Sequence, residues 1–139
     1  DAIDLDASSK FRISGNEFHN IGNGDIGGDA IDLSFSEGSI LRNTVEGCQD
    51  KGISVGEKSE TEIKNNAISG CDIGIAVKDL SKALIEENLL SESREAISLY
   101  QKKDIFGGAE ATLLGNVFEG NGDDILQDEN SKLWTRPIL

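Results

Sequence analysis

The stretch Gly52-Ile53-Ser54-Val55-Gly56-Glu57-Lys58-Ser59-Glu60-Thr61-Glu62-Ile63-Lys64-Asn65-Asn66-Ala67-Ile68 leads into Gly74-Ile75-Ala76-Val77, and the return of its opening motif decides the fold. The motif is small, Ile, variable, aliphatic. Read outward, it also occurs as Ala2-Ile3-Asp4-Leu5, Ala30-Ile31-Asp32-Leu33 and Ala96-Ile97-Ser98-Leu99, with a degenerate copy at Asp124-Ile125-Leu126. The anchor isoleucines are spaced 28, 22, 22, 22 and 28 residues apart. A self-similar period in this range is the mark of a repeat architecture.

A second motif, aliphatic-x-x-Asn-x-apolar, follows each of the first five copies. It runs Ile13-Asn16-Phe18, Ile40-Asn43-Val45, Ile63-Asn66-Ile68, Ile85-Asn88-Leu90 and Leu113-Asn116-Phe118. The first motif alternates with period two, so its Ile and Leu or Val share one face of a strand. No segment keeps a 3.6-residue apolar period long enough for a sizeable helix. A leucine-rich repeat also uses L-x-x-N-x-L, but it needs leucines five and eight residues before the Asn. Those positions hold Phe11, Gly38, Thr61, Ala83 and Ala111, and Ser8, Phe35, Lys58, Leu80 and Gly108.

The spacing instead predicts an all-β parallel β-helix of about five to six coils, each of roughly three short strands. The isoleucines then stack as an inward ladder. Asn16, Asn43, Asn66, Asn88 and Asn116 stack at a bend. There each amide can bond its neighbours above and below, and Asn tolerates the left-handed backbone that a bend demands. The Gly-containing insertions GNGDIG (22–27) and KKDIFGG (102–108) become loops. We expect one domain over 1–139, cut from a longer protein, with coils over about 1–126 and a C-terminal cap or tail over about 127–139.

The copies GDAIDLSFSEGSILRN, KGISVGEKSETEIKNN and IGIAVKDLSKALIEEN resemble the right-handed parallel β-helix repeat family of the pectate-lyase-like superfamily. The run ISVGEKSETEIKNNAISGCDIGIAVKD (53–79) is similar to β-helix segments of large bacterial surface proteins, some of which carry a spore-coat-H-like kinase domain. The resemblance implies right-handedness and a secreted or cell-surface bacterial setting. Its hydrolase branch implies a paired Asp-Asp, a Gly-His-Gly and an R-x-K element. Here the one Asp pair is Asp123-Asp124, His19 lacks flanking glycines, and R-x-K is missing.

Composition narrows the partners. The chain has 139 residues, 26 Asp plus Glu against 13 Lys plus Arg, and a net charge of −13. Such a surface repels phosphate backbones and anionic bilayers, so nucleic acid and membrane insertion are not expected. Two cysteines and one histidine are too few for a disulfide scaffold or a zinc site. Cys48 and Cys71 each follow their Asn by five residues. They should stack on neighbouring coils as free, buried thiols, although their separation alone permits a disulfide.

Outward positions on the first strand are where such a fold can hold ligands. One column reads Asp4, Asp32, Ser54, Ala76 and Ser98, and its neighbour reads Asp6, Ser34, Gly56, Lys78 and Tyr100. Asp4, Asp6, Asp29 and Asp32, with Asp25 nearby, could hold Ca2+, the one cofactor suggested; equally, these are ordinary turn and solubilising aspartates. Asp4, Asp32, Lys78, Arg94 and Tyr100 are the carbohydrate-binding candidates, with Tyr100 a proton donor if the site is catalytic. His19 reads as a turn residue. Trp134 with Arg136-Pro137 reads as a cap over the open end, the alternative being a sugar-stacking platform with Tyr100 and Phe106. The leading function is a non-catalytic extracellular module, a rigid spacer or polysaccharide-binding adhesion surface, joined to neighbouring domains of a longer chain. The alternatives are part of a polysaccharide lyase, hydrolase or epimerase using Ca2+, and a module that self-associates through its ends.

Overall fold

The structure is a computed structural model that describes residues 1–22, 24 and 27–136. All described regular structure is β. Coil one contains β1 (Ile3–Asp6), β2 (Ser9–Ser14) and β3 (Glu17–Ile21). Coil two begins with β4 (Ile31–Ser34) and β5 (Glu37–Leu41). The long β6 (Thr44–Gly56) closes coil two, runs through the corner and opens coil three. Coil three continues with β7 (Glu60–Lys64), and the long β8 (Ala67–Lys78) carries the chain into coil four. Then follow β9 (Lys82–Glu86), β10 (Leu89–Ser91), β11 (Glu95–Tyr100), β12 (Glu110–Leu114) and β13 (Val117–Glu119). A last partial coil holds β14 (Asp123–Gln127) and β15 (Lys132–Arg136).

Every pairing is parallel and joins equivalent strands of successive coils. The second strands form a six-stranded sheet, while β6 and β8 fuse the first and third strands into one of nine strands. The isoleucine register holds throughout: Ile3, Ile31, Ile53, Ile75, Ile97 and Ile125 pair in sequence. The four central ones are fully buried, each contributing roughly 1.5–3 kcal/mol of apolar transfer. The segment expected as a cap or tail includes β15, which pairs with β12 and adds a sixth strand to the second sheet. Trp134 stands on its outer side beside Thr112, half-exposed.

The Asn ladder forms as the spacing predicts, with one correction. The left-handed residue at each bend is the one before the Asn: Gly15, Arg42, Asn65, Glu87 and Gly115, with φ between 53° and 69°. The Asn itself serves as an internal hydrogen-bond clip. Two further corners follow the same rule. Ala7, Phe35, Lys58 and Leu80 are left-handed before Ser8, Ser36, Ser59 and Ser81. Gly47, Gly70, Glu92 and Gly120 are left-handed before Cys48, Cys71, Ser93 and Asn121. The first-corner hydroxyls reach back one coil: Ser36 Oγ accepts from Ser8 N–H and Ser59 Oγ from Ser36 N–H, both at 3.0 Å. Ser81 Oγ takes Ser59 N–H and Ser131 Oγ takes Ala109 N–H. Ala109 offers no hydroxyl, and Ser81 N–H turns instead to Lys78 C=O. Where the preceding residue makes the bend, the ladder side chain is left to bond along the stack, so these corners split the two tasks; Ser131 bonds back without a left-handed residue before it.

Candidate functional site on the outer face of the first strands

The outward column Asp4, Asp32, Ser54, Ala76, Ser98 is in register as read from the sequence. It is not an open sheet, however. Ser54, Ala76 and Ser98 are buried, and so are Lys51, Lys78 and Glu95, while Tyr100 is half-buried. Small side chains form a floor, and long ones from the flanking columns fold across it.

Gly56 shows how the cover is made. A Cβ there would lie 3.3 Å from Lys78 Cε and 3.6 Å from Lys78 Nζ. The Lys78 side chain therefore lies back over coil three, under the charge influence of Asp32 and Asp29. Its ammonium forms no ion pair and no hydrogen bond among the described residues. Burial, then the charges of Lys51 and Lys102, hold its pKa below the ordinary lysine value. Tyr100 is paired in register with Lys78 on the next coil. Burial pushes its phenol upward, opposed by the Lys51 charge. Ser54 Oγ is buried and has no hydrogen-bond partner.

Lys51 behaves differently. Burial alone would lower it, but Asp50 Oδ2 at 2.9 Å and the Asp29 carboxylate at 3.9 Å outweigh this, and its pKa rises. Asp29 Oδ1 also accepts the Lys51 N–H at 2.9 Å. Burial still raises the Asp29 carboxyl against that bond and the Lys51 charge. Glu95 Oε1 accepts from Ser98 Oγ at 3.0 Å, and its other oxygen meets Arg94 Nη2 at 2.6 Å.

The predicted residues thus separate into groups. Asp32, Lys78 and Tyr100 share the covered face. Arg94 stands at its edge, mostly exposed and held by Asp72 and Glu95; the hydrogen bond from Arg94 lowers the Asp72 carboxyl. Asp4 and Asp6 are exposed on the first rung. The carboxylates that converge are Asp1, Asp29 and Asp32, with one oxygen from each within 4.8 Å of the others; Asp4 and Asp6 stand outside that group. Asp25 and Pro137 lie outside the described residues. Ca2+ takes six to eight oxygens, so three carboxylates with open positions fit a partial site, in competition with the Lys51 ammonium. His19 is on strand β3 rather than in a turn, between Glu46 at 3.2 Å and Glu17 at 3.8 Å. Phe11, Phe18 and Phe118 pack in or against the core, as read.

The 101–108 loop borders this face. Asp79, buried at the corner, accepts Lys102 N–H and Lys103 N–H at 2.7 and 2.8 Å. Lys103 pairs with Glu57. The Phe106 ring meets Phe35 edge-on at 6.2 Å, so the loop reaches back from coil five to coil two. A separate shallow groove of about 610 Å3 crosses the outer side of the second sheet, where Trp134 stands at one end.

A family model described as the right handed beta helix region matches residues 1–133, the whole of the stacked coils except the last strand's end. The chain belongs to the right-handed β-helix family. Searches of curated proteins and of solved structures return no match. In this right-handed β-helix the repeat read from the sequence, the parallel stacking and the family agree. Sequence reasoning missed Lys51, Glu95 and Asp1 as members of the site. All three precede the repeat motif by one residue, a column from which only Asp29 was singled out.

Proposed function

We propose that this β-helix is a rigid, non-catalytic module of a secreted or cell-surface bacterial protein that binds a carboxylate-bearing polysaccharide on the outer face of its first strands. The observation that carries the reading is Lys78, a largely buried lysine side chain whose ammonium reaches the surface and makes no ion pair or hydrogen bond among the described residues. A partly desolvated ammonium with no counter-charge in contact gains from an anionic partner. A sugar carboxylate is a fitting partner, with Tyr100 beside it and Asp32 to take sugar hydroxyls.

The net charge of −13 opposes an acidic polymer, so magnitudes decide. Exposed charges are screened beyond about 8 Å at physiological ionic strength. A contact pair at about 4 Å in a site of effective dielectric near 20 is worth about 4 kcal/mol before desolvation, against about 1 kcal/mol in water. Local pairing at Lys78 therefore outweighs diffuse repulsion. Ca2+ on Asp1, Asp29 and Asp32 would add a second bridge to the same polymer.

A second reading rests on the Lys78–Tyr100 neighbours. A lysine with a lowered pKa can take the proton beside a uronate carboxylate, while Tyr100 gives one to the departing glycosidic oxygen. Polysaccharide panels of acidic and neutral chains, run with Ca2+ and with chelator, separate the readings. Binding to uronate polymers without new reducing ends or unsaturated-sugar absorbance supports the module. Release of unsaturated product makes the domain part of a lyase. Absence of binding to every polymer overturns both.

A further inference from the structure

We propose that Cys48 and Cys71 form an oxidisable dithiol, in which the Cys48 thiolate attacks a peroxide and Cys71 resolves the product into a disulfide between consecutive coils. The inference stands apart from the polysaccharide reading. Both thiols are free and buried in the reduced protein, and the two residues are direct partners in the β6–β8 register. Neighbouring rungs lie about 4.8 Å apart, within the Cα separations that disulfides span.

Register alone would leave the side chains parallel. The corner hydrogen bonds show the ladder side chains leaning toward the preceding coil instead. Along this third corner each ladder side chain reaches back one coil: Ser93 Oγ takes Cys71 N–H at 3.1 Å, and Asn121 Oδ1 takes Ser93 N–H at 3.1 Å. Cys71 lies beside Cys48 across the register, and its thiol donates to Ser69 C=O at 3.7 Å. The neighbouring Cys71 holds the Cys48 thiol below its ordinary value, while Cys48 and burial push the Cys71 thiol up. The roles are therefore unequal: Cys48 is the nucleophile and Cys71 the proton-bearing partner.

Access is unequal in the same sense. A small cleft of about 230 Å3 opens onto Cys48 between Gly22, Gly47, Gln49 and Gly70, and its lining does not include Cys71. Gly47 and Gly70, the left-handed residues just before the two cysteines, put no side chain of their own at the entrance, which Asn20 and Gln49 flank. In the reaction, the Cys48 thiolate takes the distal oxygen of the peroxide, which leaves as water or alcohol, giving a sulfenic acid. The Cys71 sulfur then attacks the Cys48 sulfur, and hydroxide departs as water with the Cys71 proton. The protein loses two hydrogens, and the peroxide takes up both electrons.

The test treats the native chain with hydrogen peroxide and measures intact mass, free thiols after denaturation, and the cross-linked peptides. We expect both thiols to vanish together within the monomer, with a mass lower by two hydrogens and a 48–71 cross-link. In Cys71→Ala, dimedone should label Cys48; in Cys48→Ala, Cys71 should stay unlabelled under the same dose. Alanine is small and apolar, and a matched melting temperature for each variant shows that the coil remains folded. Persistent thiols at a dose that oxidises a cysteine peptide, stepwise oxidation of Cys48 without the cross-link, or disulfides between chains would each overturn the proposal.

Discussion

The side-chain amide of Asn43 donates to Oδ1 of Asn66 at 3.1 Å, and the same oxygen accepts the Asn43 backbone N–H at 2.9 Å. Asn66 in turn donates to Ile40 C=O and to Asn88 Oδ1, both at 3.0 Å. One buried side chain thus ties together three coils. Replacing it takes a partner from the Asn43 backbone N–H, the Asn43 side-chain amide and the Ile40 carbonyl, at about 1–3 kcal/mol for each group left unsatisfied. Asn66→Ala should lower stability by about 3 kcal/mol or more in urea unfolding. Asn16→Ala, at the exposed end of the ladder, should cost about 1 kcal/mol or less. Equal losses at both positions would contradict the clip role.

The division of each corner between a bend residue and a ladder residue gives an opposite prediction one position earlier. Glu87 is exposed and left-handed at φ 53°, a conformation that costs an L-residue about 1–2 kcal/mol. Glu87→Gly should leave stability unchanged or raise it by up to about 1 kcal/mol. Glu87→Val should destabilise, because a β-branched residue fits that region worst. Thermal melts of the pair decide the point: a Val variant as stable as Gly would mean the bend is not left-handed in solution.

Asp79 fixes the loop that borders the candidate site through its two backbone hydrogen bonds. Asp79→Ala should free the loop while the coils stay stacked. Limited trypsin digestion reads this directly, since Lys102 and Lys103 lie in the loop. We expect cleavage there to speed up by at least about tenfold, the effect of losing roughly 1.4 kcal/mol of protection. An unchanged digestion rate would show that Phe106 and Lys103 hold the loop without Asp79.

Lys78 makes a prediction about alkaline pH. Its pKa is lowered by folding, so between that value and the ordinary 10.5 the unfolded chain binds more protons than the folded one. In that window the lysine's contribution to stability rises with pH; below it, the burial cost of the ammonium is fully felt. Lys78→Met removes the titration. The wild-type minus variant difference in urea midpoint should favour the variant at neutral pH and shrink toward pH 10.5. A difference that is flat with pH would mean that the ammonium is solvated or paired.

The parts of the fold that the sequence displays are those that every coil must repeat. The inward isoleucine and the Asn clip recur because a stacked coil has one kind of place for each. The Ser corner recurs as well, at Ser8, Ser36, Ser59, Ser81 and Ser131, yet serine in a turn carries little information by itself. The left-handed bends are hidden because Gly, Arg, Asn and Glu share that position, the conformation being imposed by the coil. The candidate site was legible only in part. Columns predict which residues share a face, and Asp32, Lys78 and Tyr100 do. They do not predict that Lys78 folds back over Gly56, or that Asp1 rather than Asp4 and Asp6 joins Asp29 and Asp32, because these depend on which neighbours are small and where long side chains lie.

The reading of the first face depends most on the state of one amine. NMR titration of the Lys78 Cε and Nζ resonances, with and without saturating oligogalacturonate, tests it directly. The Lys78 pKa should lie below the usual lysine value in the free protein and rise clearly when the sugar carboxylate binds, by linkage. A Lys78 resonance that titrates like an exposed lysine, or one that oligogalacturonate leaves unmoved, would contradict it.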